Sequence, residues 1–543
     1  MNSVNPARDS AVTCSHHTEY AAAAGMPNLH EHLRTCAAAL LHALGQGSVV
    51  PNTYSTAWQA RLRIPGSADL LFPAAQQWLL DHQLPTGAWG STIPLPHDRI
   101  VSTLAAVVAL ASNRQQATAP APAQRAIEHG CDHLHSLADA WHNSDDETIA
   151  FEMTVPLLLR QAQELSLPLP YAAFQDLAMV REQKLRLIPR NTLMQEPTTL
   201  LVALETLTDQ AVNFTQLSPY CQDNGAMGNS PSSTGAYWVA TGSEKSRSYM
   251  EDVASLHPDG GFPEIYPASI FEWAWPLHYL GRADLLPSQP TPAFAYLRSM
   301  LRDDGTAAYD PHVDLPDSDD TAMTLALLVQ YGLLPRTCLK ALLSFESSEA
   351  FTTYHYERNP SVSANARVLW ALRLWPQRFG QQIKKAEKFL LHHRQESAYW
   401  RDKWHVSPYY ATDVVVQSLG GTSRFPLTGT ANWIVETQHD DGSWGLAGGN
   451  PEESSYAVLT MEELSRHGRS FPAHTWERAA AYLAMHINDT EFAGLWIGKG
   501  LYTPVNVVKS AVLAGYTLAL NKIHGDSLCR NSPTPAKPKP EMR

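Results

Sequence analysis

Asp317, Asp319 and Asp320 stand within four positions of one another in the stretch DLPDSDDTAM, which runs straight into the apolar TLALLVQYGLL. Carboxyls this close do not all ionise readily in an apolar setting, because each charge disfavours the next and burial disfavours them all. One kept protonated is a strong general acid, able to deliver its proton to a carbon–carbon double bond. The same spacing also suits a helix start, where acids satisfy free N–H groups and complement the macrodipole. A calcium loop is a poor reading, since EF-hand spacing and its closing Glu are missing.

Such acids need a frame. TLAAVVALAS, TVPLLLRQAQEL, SANARVLWALRLW, YAVLTMEELSRHG and VVKSAVLAGYTLAL carry apolar residues at i, i+3 and i+4, the period of a buried helix face. Between them a turn pattern recurs, as in QLPTGAWG, LHPDGGFP, LRDDGTAAY and QHDDGSWG: a polar residue, a Gly, then an aromatic or small residue, as a helix end requires. The spacing is too irregular for a uniform solenoid. Helix pairs joined by Gly turns predict an all-α protein of the α/α-barrel kind.

At 543 residues the chain exceeds one ordinary core, so two or more domains are expected. Its formal charge of −13 argues against nucleic acid, and obliges any anionic ligand to find particular Lys or Arg residues or a metal. The six cysteines form no CxxC pair, which reads as reduced thiols of a cytoplasmic protein. No signal-peptide core and no apolar run of membrane-spanning length stand out. Residues 1–25 and 526–543 read as disordered tails.

DSDDTA resembles the DxDD motif of the class II diterpene cyclases, especially copalyl diphosphate synthases. The resemblance continues in family order through NTYSTAW (52–58), HDR (97–99), TIAFEMTVP (148–156), REQKLRLIP (181–189), GGFPEIYPASIFEWAW (260–275), SVSANARVL (361–369), RDKWHVSPYY (401–410) and LWIGKGLY (495–502). QHDDGSWG is similar to the QW repeat that ties consecutive helices in these proteins. The resemblance implies a bacterial-type βγ didomain of two α/α barrels: an N-terminal segment of β at 26–69, an inserted γ barrel at 70–285, and the rest of β at 286–525.

The resemblance also assigns roles. Asp319 would be the general acid, with Asp317 and Asp320 tuning and reprotonating it, and Asn365 would hydrogen-bond the acid. Lys184, Lys403 and Lys499 would meet the diphosphate of an isoprenoid substrate. A Mg²⁺ ion is implied at Asp145, Asp146, Glu147 and Glu152. Trp273, Trp275, Tyr354, Trp370 and Tyr502 are candidates for the wall of a dry, aromatic cavity, since π faces stabilise a carbocation.

Plant members that make the ent product hold a water with a His and an Asn to remove the last proton. Val202 and Glu264 stand there here, so either Glu264 accepts the last proton or a rearranged skeleton results. The class I elements that ionise a diphosphate are absent, so the diphosphate is expected to survive for a downstream class I synthase or phosphatase. Farnesyl diphosphate or a prenylated aromatic would also suit DxDD. A squalene-type cyclase, an (α/α) glycosidase with a second acid and a helical-repeat binding protein are the rival readings.

Overall fold

The computed structural model describes residues 26–115, 122–143, 147–187, 196–210, 212–287, 292–355, 357–420 and 426–525. Both expected tails, and the metal candidates Asp145 and Asp146, lie outside the described residues. The described residues are mostly helical, with two large hydrophobic cores among them.

The helices are α1 (Met26–Ala43), α2 (Thr53–Gln59), α3 (Pro73–Asp81), α4 (Pro96–Gln115), α5 (Ala123–Ser136), α6 (Phe151–Glu164), α7 (Gln175–Leu187), α8 (Pro231–Thr241), α9 (Glu244–Leu256) and α10 (Ser269–Arg282). There follow α11 (Pro292–Ser299), α12 (Ser318–Gln330), α13 (Val362–Leu372), α14 (Pro376–His392), α15 (Pro408–Leu419), α16 (Thr428–Glu436), α17 (Pro451–Arg466), α18 (Ala473–His486) and α19 (Val505–His524).

In the first core α10, α12, α13, α15, α17 and α19 pack each on the next, and α19 returns to α10, closing a ring. Shorter or more amphipathic helices, among them α14, α16 and α18, lie outside it, which is the α/α barrel expected from helix pairs. In the second, α2, α4, α6, a 3₁₀ turn at Leu204–Leu207 and α8 close a smaller ring. Tyr54, Ala57 and Trp58 of α2 belong to this second core, so it starts within the segment 26–69 that the sequence groups with the first.

The QW turns work as their composition suggests. Gln438 donates to Gly442 O and to Thr475 O at the start of α18, while Trp444 Nε1 reaches back 2.7 Å to Ile434 O. Gln83 and Trp89 repeat the arrangement with Gly87 O, Ala126 O and Leu79 O. Each pair thus ties one helix end to the next outer helix. Gly442 and Gly87 adopt φ of +92° and +86°, and a Cβ would lie 2.4 Å from Arg478 O or 2.8 Å from His129 O, so only glycine fits.

Two short antiparallel strands interrupt the helical plan, β1 (Trp496–Ile497) and β2 (Leu501–Tyr502). The loop they form clasps the two barrels together. Ile149 N donates to Gly498 O, Leu501 N to Asp98 Oδ1 and Lys499 N to Glu264 Oε1. No helix among the described residues is long and apolar enough to cross a membrane. The described cysteines Cys131, Cys221 and Cys338 are free thiols.

Candidate active site

The acids sit at the N-terminus of α12, on the inner ring. Asp317 is the N-cap, in extended backbone, and its Oδ1 accepts from Asp320 N at 2.8 Å. Asp317 N donates to Ala307 O and Ser318 N to Thr353 O, which fixes the turn on both sides. Capping and chemistry are therefore shared out: Asp317 makes the cap, and the other two acids are left to other partners.

Asp319, with a side chain 13% exposed, lies 3.0 Å from Arg367 Nε, whose own side chain is 1% exposed. Arg367 stacks over Trp275, 4.6 Å from the ring centre, and donates to Tyr410 OH at 3.1 Å. Burial raises Asp319 to about 6, against the pull of the guanidinium. Burial together with the neighbouring acids holds Asp320 well above the carboxylate range and raises Asp317 with it, so this pair retains a proton at neutral pH. Asp319 is thus the most readily ionised of the three.

Tyr309, Tyr354 and Tyr502 surround the acids; burial and then nearby carboxylates, those of the triad included, push their phenols up. Trp275 is fully buried beneath Arg367. Three of the five expected wall residues, Trp275, Tyr354 and Tyr502, are therefore brought to the acids. Trp273 is not: two positions from Trp275 it faces the other way, donating to Gly45 O and packing on the half-exposed Tyr296. Trp370 meets His278 one turn further along α13 from Arg367.

Asn365 does not touch the acids. Its amide donates to Phe351 O and Ser361 O and accepts from Phe351 N, all within 2.8 Å, which uses it to hold the loop before α13. The group that faces Asp319 from this helix is Arg367, missed in the sequence reading. Its signal was a lone charge inside the apolar SANARVLWAL.

Glu264 and Lys499 are likewise occupied. Glu264 accepts from Asn52 Nδ2 at 2.8 Å and from Lys499 N at 2.9 Å, and both it and Lys499 are buried. Lys499 Nζ donates to Val202 O, Ser230 Oγ and Ser232 Oγ at 2.6–2.7 Å and pairs with Glu205 at 3.0 Å. An ammonium with its three protons so placed has none for a diphosphate, and Glu264 is a clasp for the loop rather than an open base. Lys499→Met would strand the fully buried Glu205 and is expected to cost about 3–5 kcal/mol of stability in denaturant melts.

Lys403 pairs with Glu357 and donates to Asn359 O at 2.6 Å, bracing its own loop. Lys184 behaves differently. It reaches Glu152 Oε1 at 2.7 Å with its side chain still 47% exposed, so a cation and a carboxylate expected at a diphosphate meet at an open edge. Glu152 follows Ile149, which is bonded to the β1–β2 loop. Glu147 is exposed nearby in sequence. Among the described residues no group of three or more His, Cys, Asp and Glu could hold a metal by itself. A carboxylate at an open edge, here Glu152 beside its ion-pair partner Lys184, fits Mg²⁺, which takes most of its ligands from phosphate and water.

A cleft of about 510 Å³ in the second barrel, lined by Arg114, Glu128, Cys131 and Pro168 among others, holds none of these residues.

No family model matches the chain. It is 31% identical over 495 residues to a type B diterpene cyclase of Mycobacterium tuberculosis, covering 88% of this chain and 97% of that one. It is 32% identical over 500 residues to an ent-copalyl diphosphate synthase of Streptomyces sp. (strain KO-3988), covering 86% and 92%. The solved ent-copalyl diphosphate synthase of Streptomyces platensis superposes with a TM-score of 0.71 at 28% identity, over 90% of this chain and 99% of that one. The chain belongs to the class II diterpene cyclases of the copalyl diphosphate synthase type.

Proposed function

We propose that this enzyme protonates the terminal double bond of geranylgeranyl diphosphate, closes two rings and leaves the diphosphate in place, giving a labdane-, halimadane- or clerodane-type bicyclic diphosphate. The observation that carries the reading is Asp319 in contact with a buried guanidinium while Asp317 and Asp320 retain a proton beside it. An alkene is a weak base, so its protonation needs an acid whose conjugate base is stabilised. Arg367 supplies that stabilisation in a site where water cannot screen it.

In the first step the Asp319 O–H bond breaks and a C–H bond forms at the terminal alkene carbon. The cation left on the neighbouring carbon is attacked by the next double bond, and again, to close the rings. Trp275, Tyr354 and Tyr502 offer π faces to the moving charge. Between turnovers the Asp317–Asp320 pair returns a proton to Asp319.

The diphosphate end meets Lys184. Glu152 and Glu147 would hold a Mg²⁺ ion there, which when bound neutralises diphosphate charge. Lys184→Ala is expected to raise KM roughly tenfold or more with kcat nearly unchanged, the value of a lost charge-assisted hydrogen bond. Steady-state kinetics at several Mg²⁺ concentrations check it, and a Glu152→Gln variant should need more Mg²⁺ for half-maximal rate.

The sequence's lack of class I ionisation motifs supports retention of the diphosphate. Incubation with geranylgeranyl diphosphate and Mg²⁺, followed by phosphatase treatment, should release a bicyclic alcohol. Cyclisation only of farnesyl diphosphate or of a prenylated aromatic would move the substrate class, and no cyclisation of any of them would overturn the reading.

A further inference from the structure

With Glu264 clasped, the cascade needs another acceptor for its last proton, and one carboxylate in the first barrel stands out. Glu452, 1% exposed, lies in the first turn of α17 but does not cap it, since Asn450 Oδ1 already accepts from Glu452 N and Glu453 N. Instead Glu452 Oε1 gathers donors from separate elements: Tyr456 OH at 2.9 Å, Trp496 Nε1 at 2.9 Å and His405 Nε2 at 3.2 Å. His405 Nδ1 accepts from Ser407 N, so the ring's proton is on Nε2 and is given to Glu452. Glu452 Oε2 is buried and makes no hydrogen bond. Its neighbour Glu453 spends both oxygens on Ser407 Oγ and Leu446 N, as a structural acid does.

Position agrees with this. Trp496 is paired with Tyr502 across β1 and β2, and with His405 on its other side, so His405, Trp496 and Tyr502 form one rung of side chains. The rung spans two inter-strand spacings, roughly 10 Å. Tyr502 at one end feels the charges of both Asp320 and Glu452. A second route runs from Asp319 through Arg367 and Tyr410, whose ring stacks on His405 at 4.4 Å and meets Trp496 at 5.0 Å. The acid and the Glu452 carboxylate thus stand at opposite ends of one aromatic wall.

We propose that Glu452 is the base that ends the cyclisation, its Oε2 taking the proton from the carbon beside the final cation while His405, Tyr456 and Trp496 hold it in position. The C–H bond breaks, its electron pair becomes the new double bond, and the proton passes to Oε2. One proton leaves Asp319 and one arrives at Glu452 in each turnover, so the reaction is neutral overall; Glu452 then releases its proton to solvent, and the Asp317–Asp320 pair, having reprotonated Asp319, regains one from solvent. This rests on the cyclase reading above.

Glu452→Gln preserves shape and an oxygen for the three donors while removing the basic oxygen. With geranylgeranyl diphosphate as substrate it should still consume substrate, within about tenfold of wild type, while at least half of the cyclised product becomes a different alkene isomer or a hydroxylated compound. His405→Asn and Tyr456→Phe, which loosen the carboxylate without removing it, should move the same ratio less far. An unchanged product distribution in Glu452→Gln, at any rate, overturns the proposal. So does complete loss of cyclisation with an unaltered melting temperature, because a terminal base acts after ring closure. If Glu452→Gln does not fold, the two positioning variants decide: no change of product in either overturns it. Failure of the wild-type protein to cyclise any prenyl substrate is the separate result that removes the underlying reading.

Discussion

Replacing Asp319 by Asn is expected to lower kcat for cyclisation by at least about 10³-fold while the protein stays folded. The amide keeps the side chain's size, so packing around α12 is preserved. It carries no proton acidic enough for an alkene, and neither neighbour substitutes for it: Asp317 is committed to the cap and Asp320 to Asp317, and both are weaker acids than Asp319, able to reprotonate a carboxylate but not an alkene. The variant does uncover the buried charge of Arg367, so a circular-dichroism melt must accompany the assay. Wild-type cyclisation by Asp319→Asn would mean that the proton comes from elsewhere.

The acidity of Asp319 also sets a pH profile. A general acid works in its protonated form, and a group at about 6 is protonated to roughly one part in ten at pH 7. The kcat/KM limb should therefore be flat below pH 6 and fall about tenfold per unit above it. The sign for stability is the same. A carboxyl whose folded value lies above its unfolded value favours the folded state while protonated, and stability is lost as pH rises from the unfolded value of about 3.9 through 6.

What was legible in the sequence follows from how local each signal is. The Gly turns and QW pairs are written within a dozen residues, since Gln438 and Gln83 each bond the glycine of their own turn, so the barrel class could be read directly. The triad was legible for the same reason, its members sharing one helix start. Partners from distant segments were not. Asn365 lies two positions from Arg367, and nothing in SANARVL says which of them turns toward α12 and which toward the Phe351 loop.

Lys499 and Glu264 illustrate the complementary error. Both are charged and stand in the motifs LWIGKGLY and GGFPEIYP, which invites a catalytic role. In the fold they bind each other's neighbourhood across 235 positions to close the two barrels on one loop. In NPEESSYAV nothing separates Glu452 from Glu453, and only the convergence of His405, Tyr456 and Trp496 on one of its oxygens distinguishes it. A charge in a motif announces that something is held. Burial and spare lone pairs decide whether chemistry is left over.

Arg367→Gln separates that chemistry from packing. Gln retains a polar group near Tyr410 but removes the guanidinium charge that lowers Asp319, so the carboxyl should become a weaker acid. Two effects then follow with opposite signs. The descending limb of kcat/KM should move to higher pH by about one unit or more, because an opposite charge at this distance is worth roughly one to three units. The plateau at low pH should fall by about 10²-fold, since the conjugate base is no longer stabilised as the proton leaves. A purely structural arginine would lower the rate without displacing the limb. Arg367→Lys sharpens the distinction: it keeps the charge beside Asp319 and gives up the planar stack on Trp275, so its limb should stay near pH 6 even if its rate falls. A limb displaced equally in both variants would show that shape, and not charge, is what Asp319 requires of this position.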